Sequence, residues 1–544
     1  MKIIVLRVTL VTSYSGYMEY GAYHNEIQYV ISPSEYSQPL AKPKSLCYNQ
    51  YPERPIEQPL GTEALFEVMK GLQRIMNLKQ MNLKQMSLKR IFSSFAAGKN
   101  VDLIHGPIFR SLVVFALPLL GSNIFQQLYN TVDTMIVGNF LGDMSLAAIG
   151  VCTPVYDLLI GFALGIGNGL AIVTARSFGA GDREQLKKSV ASSMVIGLVV
   201  SLVITVIGQL CLHPLLQLLN TPEEILEEAY GYISLITSFV IVMFAYNLCA
   251  GLLRAIGNSF MPLMFLVMSS CLNIVLDLFF ITKMNMGVKG AAVATVISQG
   301  VSVVLCLLYI WKKAQLLVPA KSHFQVNWSL YRELLGQGFS MGFMSSIVSA
   351  GSVILQYGIN GLGYLIIAGH TAARKLFMFS IMPFSSMALA FSTFVSQNRG
   401  AGYGNRIRRA IVDVYVYDAV MTVVLTAVML AAAPMLVKWA SGSEEAVVLE
   451  NGALYLQIAA PFYIALGVLG ATRFALQGLG LKLLPLVSSV IEFVGKVIFV
   501  VVFIPRFQYM AVIFCEPVIW CLMAAQLVWS FYTNPYIKAA KTQK

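Results

Sequence analysis

The sequence predicts an all-α integral membrane protein with twelve transmembrane helices in two pseudo-symmetric six-helix lobes. Three observations support this fold class. The 544-residue chain is 57% hydrophobic and only 12% charged, whereas about 25% charged residues are usual in a soluble domain. Long apolar runs follow one another almost without interruption from Phe109 onward. Three passages of the first half also recur in the second half at a nearly constant spacing.

The first hundred residues differ from the rest in composition, because they mix Tyr, Pro, Gln and charged residues. The apolar stretch near Met1 is interrupted by Arg7 and is too short to span a membrane. Between Met76 and Arg90 a five-residue repeat reads MNLKQ, MNLKQ, MSLKR, a period that leaves no single apolar face on a helix. We therefore expect residues 1–104 to form a basic, polar and disordered extension, with an amphipathic membrane-surface anchor as the alternative.

Each later apolar run contains about 20 or more residues, the length that crosses a hydrocarbon core of about 30 Å. The first six predicted helices span residues 109–137, 145–175, 185–213, 226–250, 259–282 and 287–312. The second six span residues 331–358, 364–396, 407–436, 447–474, 483–504 and 508–533. The polar connection Lys312–Arg332 is expected to join an N-terminal lobe, residues 105–320, to a C-terminal lobe, residues 321–544.

Basic residues in the connections and at helix ends predict the orientation in the membrane. Fifteen, among them Arg254 and Arg473, lie on the side of the even-numbered connections and four on the other side. The four are Lys283, Lys289, Lys438 and Arg506. The side rich in Lys and Arg is therefore predicted to be cytoplasmic, and an even number of helices returns both chain termini to that side.

The internal duplication is visible in three pairs of passages. RSFGAGDREQLKK, from Arg176, aligns with QNRGAGYGNRIRR, from Gln397, at an offset of 221 residues. LRAIGNSFMP, from Leu253, aligns with LQGLGLKLLP, from Leu476, at an offset of 223, and SSCLN aligns with SSVIE at an offset of 219. Such constant spacing indicates a six-helix unit copied in tandem. Because six is even, the copies share one orientation and are expected to be related by an axis along the membrane normal.

Several passages carry a resemblance to a known family: GPIFRSLVVFALPLL from Gly106, VDTMIVGNFLG from Val132, both GAG turns and LRAIGNSFMP. Over about 430 residues the chain resembles a bacterial multidrug and toxic compound extrusion (MATE) transporter. The resemblance implies a secondary active antiporter that exports small amphipathic or cationic drugs or metabolites, driven by sodium or protons. It also implies alternation between inward-open and outward-open states, a multi-pass location in the bacterial inner membrane, and function as a monomer.

Other classes of function have less support in the sequence. Basic residues lie between the apolar runs and form no basic and aromatic domain of the kind that binds nucleic acid. No HExxH, GxSxG or P-loop pattern indicates an integral-membrane enzyme, so we expect no catalytic residues and no cofactor beyond the coupling ion. The expected partners are a small-molecule substrate and the bilayer. A flippase for lipid-linked glycans remains an alternative, and a strongly basic central cavity would favour it.

Ionisable residues inside a membrane are costly and usually line a cavity or an ion path. Asp133 on predicted helix 1 and Asp277 on predicted helix 5 lie at comparable depths in the outer half of the membrane. Asn273 is one turn before Asp277, and Thr295 and Gln299 are i, i+4 neighbours on predicted helix 6. The resemblance places Asp133, Asn273, Asp277 and Thr295 in the family's cation site. Gln299 is added from its spacing alone.

Two carboxylates with neutral oxygens suit a sodium ion, a hard cation, and in a sodium-coupled protein those four matched residues would be its ligands. They suit a proton equally, because burial disfavours the charged form of a carboxylate. Structural alternatives remain open at this point. Asp133 could be an acid near the water interface, Asp277 and Asn273 could form a buried structural hydrogen bond, and Thr295 could bond its own helix backbone.

The duplication predicts that the two lobes differ in charge. An offset of 219 places Glu492 over Asn273 and Lys496 over Asp277, so the second lobe has a lysine where the first has an acid. Glu492 and Lys496 are i, i+4 neighbours and are expected to pair. Arg374 on predicted helix 8 is expected either to face the cavity or Glu492, or to form a structural ion pair between helices.

Two further residues complete the predicted set. Asp157 lies near the middle of predicted helix 2 and is a candidate residue of the substrate cavity. Pro118 lies inside predicted helix 1, where a proline can bend a helix. The resemblance implies that helix 1 bends beside the cation site.

Overall fold

A computed structural model describes residues 100–219 and 221–540, and every regular element within these residues is a helix. Ten of the helices are long and apolar enough to cross a membrane, and a bent pair of shorter helices makes an eleventh span. The helical run Leu483–Thr533 contains a break at Gln508, where φ is 51° and ψ is −136°. That break divides the run into two spans, so the described residues contain the twelve predicted helices of a multi-pass membrane protein. The predicted extension lies outside the described residues up to residue 99.

The helices are numbered by span. The N-terminal six are α1 (Ile108–Leu141), α2 (Asp143–Gly179), α3 (Arg183–Leu218), α4 (Glu223–Ser238 with Val240–Ala255), α5 (Phe260–Thr282) and α6 (Val288–Lys313). The C-terminal six are α7 (Trp328–Asn360), α8 (Tyr364–Gly400), α9 (Gly404–Ser441), α10 (Ala446–Ala459 with Tyr463–Gly478), α11 (Leu483–Ile498) and α12, the part of Ile504–Thr533 after Gln508. A π-helical turn, Phe499–Phe503, extends α11. Short 3₁₀ helices, Gln315–Leu317 and Lys321–Phe324, lie in the α6–α7 connection, and α13 (Pro535–Ala539) ends the described chain.

Most helices extend a few residues beyond their predicted ends, because polar residues outside the apolar run continue or cap the helix. The side chain of Asp182 accepts a hydrogen bond from the backbone N–H of Gln185 at 2.9 Å at the start of α3. Two spans are also interrupted. The halves of α4 are bent by 48°, and a 3₁₀ turn, Ala460–Phe462, interrupts α10 at its proline.

The first turns of α1 and α7, two equivalent helices, each pack in the core of the opposite lobe. Leu112 and Phe115, near the start of α1, are fully buried in the same apolar core as the C-terminal helices. Leu330 and Leu334, near the start of α7, belong instead to the core of the N-terminal lobe. Because α1 and α7 are the first helices of the two repeats, this reciprocal packing follows the pseudo-symmetry of the duplication.

A close crossing of α2 and α8 has the same symmetry. A Cβ atom added to Gly179 would collide with the carbonyl oxygen of Gln397, and a Cβ added to Gly400 would collide with that of Arg176. Gly179 and Gly400 occupy equivalent positions of the GAG repeat, as do Arg176 and Gln397. Both contacts lie at the same end of the bundle, as expected for parallel repeats related by an axis along the membrane normal.

The lobes are joined at the end of the bundle where α1 starts and α2 ends. We call this end the basic side. The side chain of Gln397 on α8 donates a hydrogen bond to the carbonyl of Ala255 at 2.8 Å. Arg176 on α2 forms an ion pair with Glu333 on α7. Deeper in the bundle, Asn123 on α1 donates to Ser386 on α8 at 3.0 Å. The interlobe hydrogen bonds between described helices thus lie in the basic half of the bundle.

Residues 100–104, which the sequence placed in the extension, are part of this packing. The backbone N–H of Val101 donates to the carbonyl of Gly257 at 2.8 Å. The side chain of Asn398 donates to the carbonyl of Leu103 at 3.0 Å, and Leu103 itself is fully buried. The short segment before α1 therefore contacts both lobes at the basic side.

Candidate cation site and charge network

Asp133 and Asp277 lie within electrostatic reach of each other, although they are far apart in the chain. The Asp277 side chain is completely buried, whereas Asp133 is half-buried. Both oxygens of Asp277 and one oxygen of Asp133 are buried without a hydrogen-bond partner among the described residues. Because a buried polar atom without a partner is costly, these oxygens are suited to bind a cation or a proton.

An apolar layer closes the acid pair from the side opposite the basic side. Ile136 and Val137 on α1, Ile281 on α5 and Ala291 on α6 form one small buried cluster. Each aspartate lies about one turn from this cluster along its own helix, toward the basic side. The acid pair therefore lies within the N-terminal lobe, about one turn from this apolar cluster.

The other three predicted residues lie on α5 and α6 at about the depth of the acid pair. These helices run antiparallel, and Ile281 and Ala291 meet in the apolar cluster. One helical turn from this cluster toward the basic side, Asp277 on α5 is level with Thr295 on α6. One further turn in the same direction, Asn273 is level with Gln299. Asn273 is buried with both amide atoms unpaired, and Gln299 has an unpaired carbonyl oxygen.

The site also contains tyrosines that the sequence reasoning missed. The phenol groups of Tyr129 on α1 and Tyr232 on α4 lie within electrostatic reach of Asp133. The position of Tyr129, one turn before Asp133 on the same helix face, was the available signal. For Tyr232 the sequence offers no comparable signal, because its contact depends on the packing of α4.

The C-terminal lobe has a charge network at the position equivalent to the acid pair. Lys496 Nζ lies 3.0 Å from Glu492 Oε1 on the same helix, and 3.7 Å from Glu516 Oε1 on α12. The Lys496 side chain is only 3% exposed. The expected pair between Glu492 and Lys496 is thus present, but Lys496 is shared with a second acid.

Arg374 forms the other end of this network. Its Nη1 atom donates to Glu516 Oε2 at 2.6 Å and to the hydroxyl of Tyr455 at 3.1 Å. Arg374 thus forms an ion pair between helices, one of the arrangements expected for it, and a quarter of its side chain stays exposed. The partner is Glu516, to which the sequence reasoning gave no role.

Arg473 on α10 is a further member that the sequence reasoning missed. It had been counted among the basic residues at helix ends, but the structure places its side chain inside the lobe. Its Nε atom donates to Ser488 Oγ at 3.0 Å, and its Nη2 atom lies 3.8 Å from Glu492 Oε2. The network therefore contains three cations and two acids, where the N-terminal lobe has two acids.

The two remaining predicted residues lie elsewhere. Asp157 on α2 is exposed, next to Tyr156 in the chain, and is not part of the acid pair. Pro118 is buried inside α1, which is a single helix from Ile108 to Leu141, and Ser122 donates a hydrogen bond to its carbonyl at 3.0 Å. The bend of helix 1 stays a prediction.

Comparison with known proteins decides the family. A family model described as MatE matches residues 118–279 and 341–502. The chain belongs to the MatE family. The two matched segments are separated by the same spacing as the LRAIGNSFMP repeat, so the family match and the internal duplication agree.

Named relatives in this family include multidrug resistance proteins. The chain is 27% identical over 309 residues to a probable multidrug resistance protein, YpnP, of Bacillus subtilis, covering 57% of this chain and 69% of the relative. It is 24% identical over 397 residues to the probable multidrug resistance protein NorM of Thermotoga maritima, covering 70% and 82%. A solved outward-facing MATE family transporter of the MOP superfamily superposes with a TM-score of 0.75 and 23% identity, covering 82% of this chain and 99% of that one. This last likeness shows the shared fold.

Proposed function

We propose that this MatE family protein is a cation-coupled antiporter that exports small amphipathic or cationic molecules by alternating access. The observation that carries the proposal is the acid pair of Asp133 and Asp277, whose buried oxygens have no donor among the described residues. Such acids at membrane depth are rare unless an ion or proton binds there. The multidrug resistance proteins among the relatives support the class of substrate.

The donor set is compatible with either coupling ion. Asp133 and Asp277 would supply two carboxylates to a sodium ion, and Asn273 and Thr295 would supply neutral oxygens, with Gln299 nearby. Hard cations prefer such oxygen ligands. A proton needs only the acid pair, because one proton shared by two neighbouring carboxylates removes their repulsion. Both modes use the same two aspartates, so sodium and protons would compete.

The contacts between the lobes support an assignment of the conformational state. We propose that the basic side is cytoplasmic, as the distribution of Lys and Arg predicts, and that the protein lies in the bacterial inner membrane. The interlobe contacts at this side then correspond to a state closed toward the cytoplasm. Alternating access would require the ion pair between Arg176 and Glu333 to separate when that side opens.

The alternative function as a flippase for lipid-linked glycans has weaker support. It would require strong positive charge in a central cavity to bind pyrophosphate. Arg374 and Lys496 are cations deep in the C-terminal lobe that could supply such charge, but Glu516 and Glu492 lie within 4 Å of them. Since these acids compensate the charge, the pair Arg374 and Lys496 does not favour a pyrophosphate ligand.

The test is transport by purified protein in proteoliposomes, with a sodium gradient and a proton gradient imposed separately. The probe is a fluorescent organic cation such as ethidium. We expect one gradient to drive efflux by the wild-type protein, and Asp133→Asn and Asp277→Asn each to reduce the rate about tenfold or more. Asp143→Asn is the control, because Asp143 is an exposed acid at the start of α2. Gradient-independent movement of the probe, or wild-type rates in both variants, would contradict the proposal.

A further inference from the structure

A small cavity lies between the lobes in the basic half of the bundle, away from the acid pair. Its volume is about 20 Å³, and residues of α2, α4, α7, α8 and α10 line it. A volume of roughly 10–15 Å³ or more is sufficient for one water-sized ligand. The lining positions on α2 and α8 are equivalent in the repeat, since Ala171 corresponds to Ser392 and Ile172 to Thr393. The cavity is therefore close to the pseudo-symmetry axis.

Arg254, in the last turn of α4, provides a positive charge to this cavity. Its Nη2 atom donates to Asn168 Oδ1 at 3.1 Å. No carboxylate lies within ion-pair distance of Arg254 in the described part of the chain. An arginine side chain does not give up its proton in a protein. Arg254 is half-buried, and because a charge partly removed from water is costly without a counter-charge, an anion beside it would be stabilised.

The other polar groups of the lining also favour an anion. Ser392 is 1% exposed, and its hydroxyl has no hydrogen-bond partner among the described residues. The carbonyl oxygen of Asn168 already accepts from Arg254, so the amino group of Asn168 can donate to a ligand. The lining contains no aspartate or glutamate, and the hydroxyl of Thr393 donates to the carbonyl of Leu389 at 3.4 Å.

We propose that this cavity binds one small monovalent inorganic anion, for which chloride is the physiological candidate. The volume suits a monatomic ion better than a polyatomic anion such as phosphate. Arg254 and Asn168 belong to the N-terminal lobe and Ser392 to the C-terminal lobe, so a bound anion joins the lobes across their closed side. The site is single, because the residue equivalent to Arg254 in the repeat is the neutral Gln477.

The site is independent of the cation-coupling site and can be tested without transport. Purified protein is unfolded thermally in sodium chloride and in sodium gluconate at equal sodium concentration and ionic strength. We expect chloride to raise the Tm of the wild-type protein by a few degrees in a saturable manner, since a ligand of the native state stabilises it. Bromide should act similarly.

Three variants test whether the chloride-dependent rise in Tm arises from binding in the cavity. Arg254→Gln, which introduces the residue of the other repeat, should abolish the chloride-dependent rise in Tm, and Ser392→Ala should weaken it. Arg473→Gln removes a buried arginine whose partner is Glu492, and it should keep the chloride-dependent rise from a lower starting Tm. A wild-type Tm that does not respond to chloride, or an equal response in Arg254→Gln, would overturn the proposal.

Crystals grown in bromide provide a second readout that does not depend on any variant. We expect an anomalous peak within hydrogen-bond distance of the Arg254 guanidinium and the Ser392 hydroxyl. If Arg254→Gln does not fold, this measurement decides. Density for water alone in the cavity, with bromide absent or bound only elsewhere, would overturn the proposal.

Discussion

Arg374 on α8 and Glu516 on α12 form an ion pair of 2.6 Å inside the C-terminal lobe. Glu516 also lies 3.7 Å from Lys496 on α11, so one carboxylate connects three helices. The equivalent region of the N-terminal lobe contains Asp133 and Asp277. No cation among the described residues forms a hydrogen bond with their buried oxygens. The duplicated lobes thus differ in the charged residues of their interiors.

Replacement of Glu516 should destabilise the C-terminal lobe. In Glu516→Gln, Arg374 loses its carboxylate partner and Lys496 loses one of two, which leaves buried positive charge uncompensated. Loss of one partner from a buried ion pair typically costs about 3–5 kcal/mol. We therefore expect a clearly lower Tm in detergent solution for this variant.

Glu444→Gln is the matched control for this measurement. Glu444 pairs with Lys438 at 2.8 Å, but both side chains are largely exposed. Exposed pairs contribute little, because water and salt screen their charges. Equal Tm changes for Glu444→Gln and Glu516→Gln would show that the buried network has no special role in stability.

Lys496→Met should separate the roles of the two lobes. The change removes the cation shared by Glu492 and Glu516, while Arg473 and Arg374 remain beside these acids. We expect weaker transport and a lower Tm, but unchanged binding of the coupling cation at the Asp133 and Asp277 pair. Direct cation binding to purified protein checks this expectation, with Asp277→Asn as the reference for loss of binding. Equal loss of cation binding in folded Lys496→Met protein would contradict the asymmetry between the lobes.

The crossing of α2 and α8 predicts that Gly179 and Gly400 maintain closure of the basic side. A methyl group at either position would collide with the backbone of the other helix and force the lobes apart at this end. We expect Gly179→Ala and Gly400→Ala to increase the accessibility of cysteine labels placed along the interface at the basic side. Modification rates with a membrane-impermeant maleimide on the purified protein give the readout.

Gly150→Ala is the control for an added methyl group on α2. A Cβ atom at Gly150 would have no neighbour within 4 Å, so the label rates should match those of the parent protein. If Gly179→Ala and Gly400→Ala also leave the rates unchanged, the close crossing does not govern closure.

Much of the fold could be predicted from local patterns. Apolar runs of membrane-spanning length identified the helices, and the spacing of the GAG turns identified the duplication whose symmetry appears at Gly179 and Gly400. The interruption of α10 has a signal in the sequence, because Pro461 lies in the 3₁₀ turn. The bend of α4 at Phe239 has no such signal, because neither proline nor glycine occurs at that position.

In the candidate site, too, some contacts could be predicted from residue spacing and others depend on helix packing. Asn273 and Asp277 share a helix face, so their association could be predicted from spacing. The contacts of Glu516 could not, since they depend on how α8, α11 and α12 pack around one another. Arg254 illustrates the same limit. Its position at a helix end predicted a contribution to membrane orientation, whereas its place beside an interlobe cavity depends on the packing of both lobes.

The most direct test of the central claim is the ion flux that accompanies export, measured in the vesicles that carry out transport. Substrate is loaded on one side, and entry of radioactive sodium or of protons is recorded for the wild-type protein, Asp133→Asn and Asp277→Asn. We predict substrate-dependent ion movement in the wild-type protein and its loss in both variants, because Asp133 and Asp277 are proposed to hold the exchanged cation. Undiminished substrate-dependent ion movement in correctly folded Asp277→Asn protein would contradict this role of the acid pair.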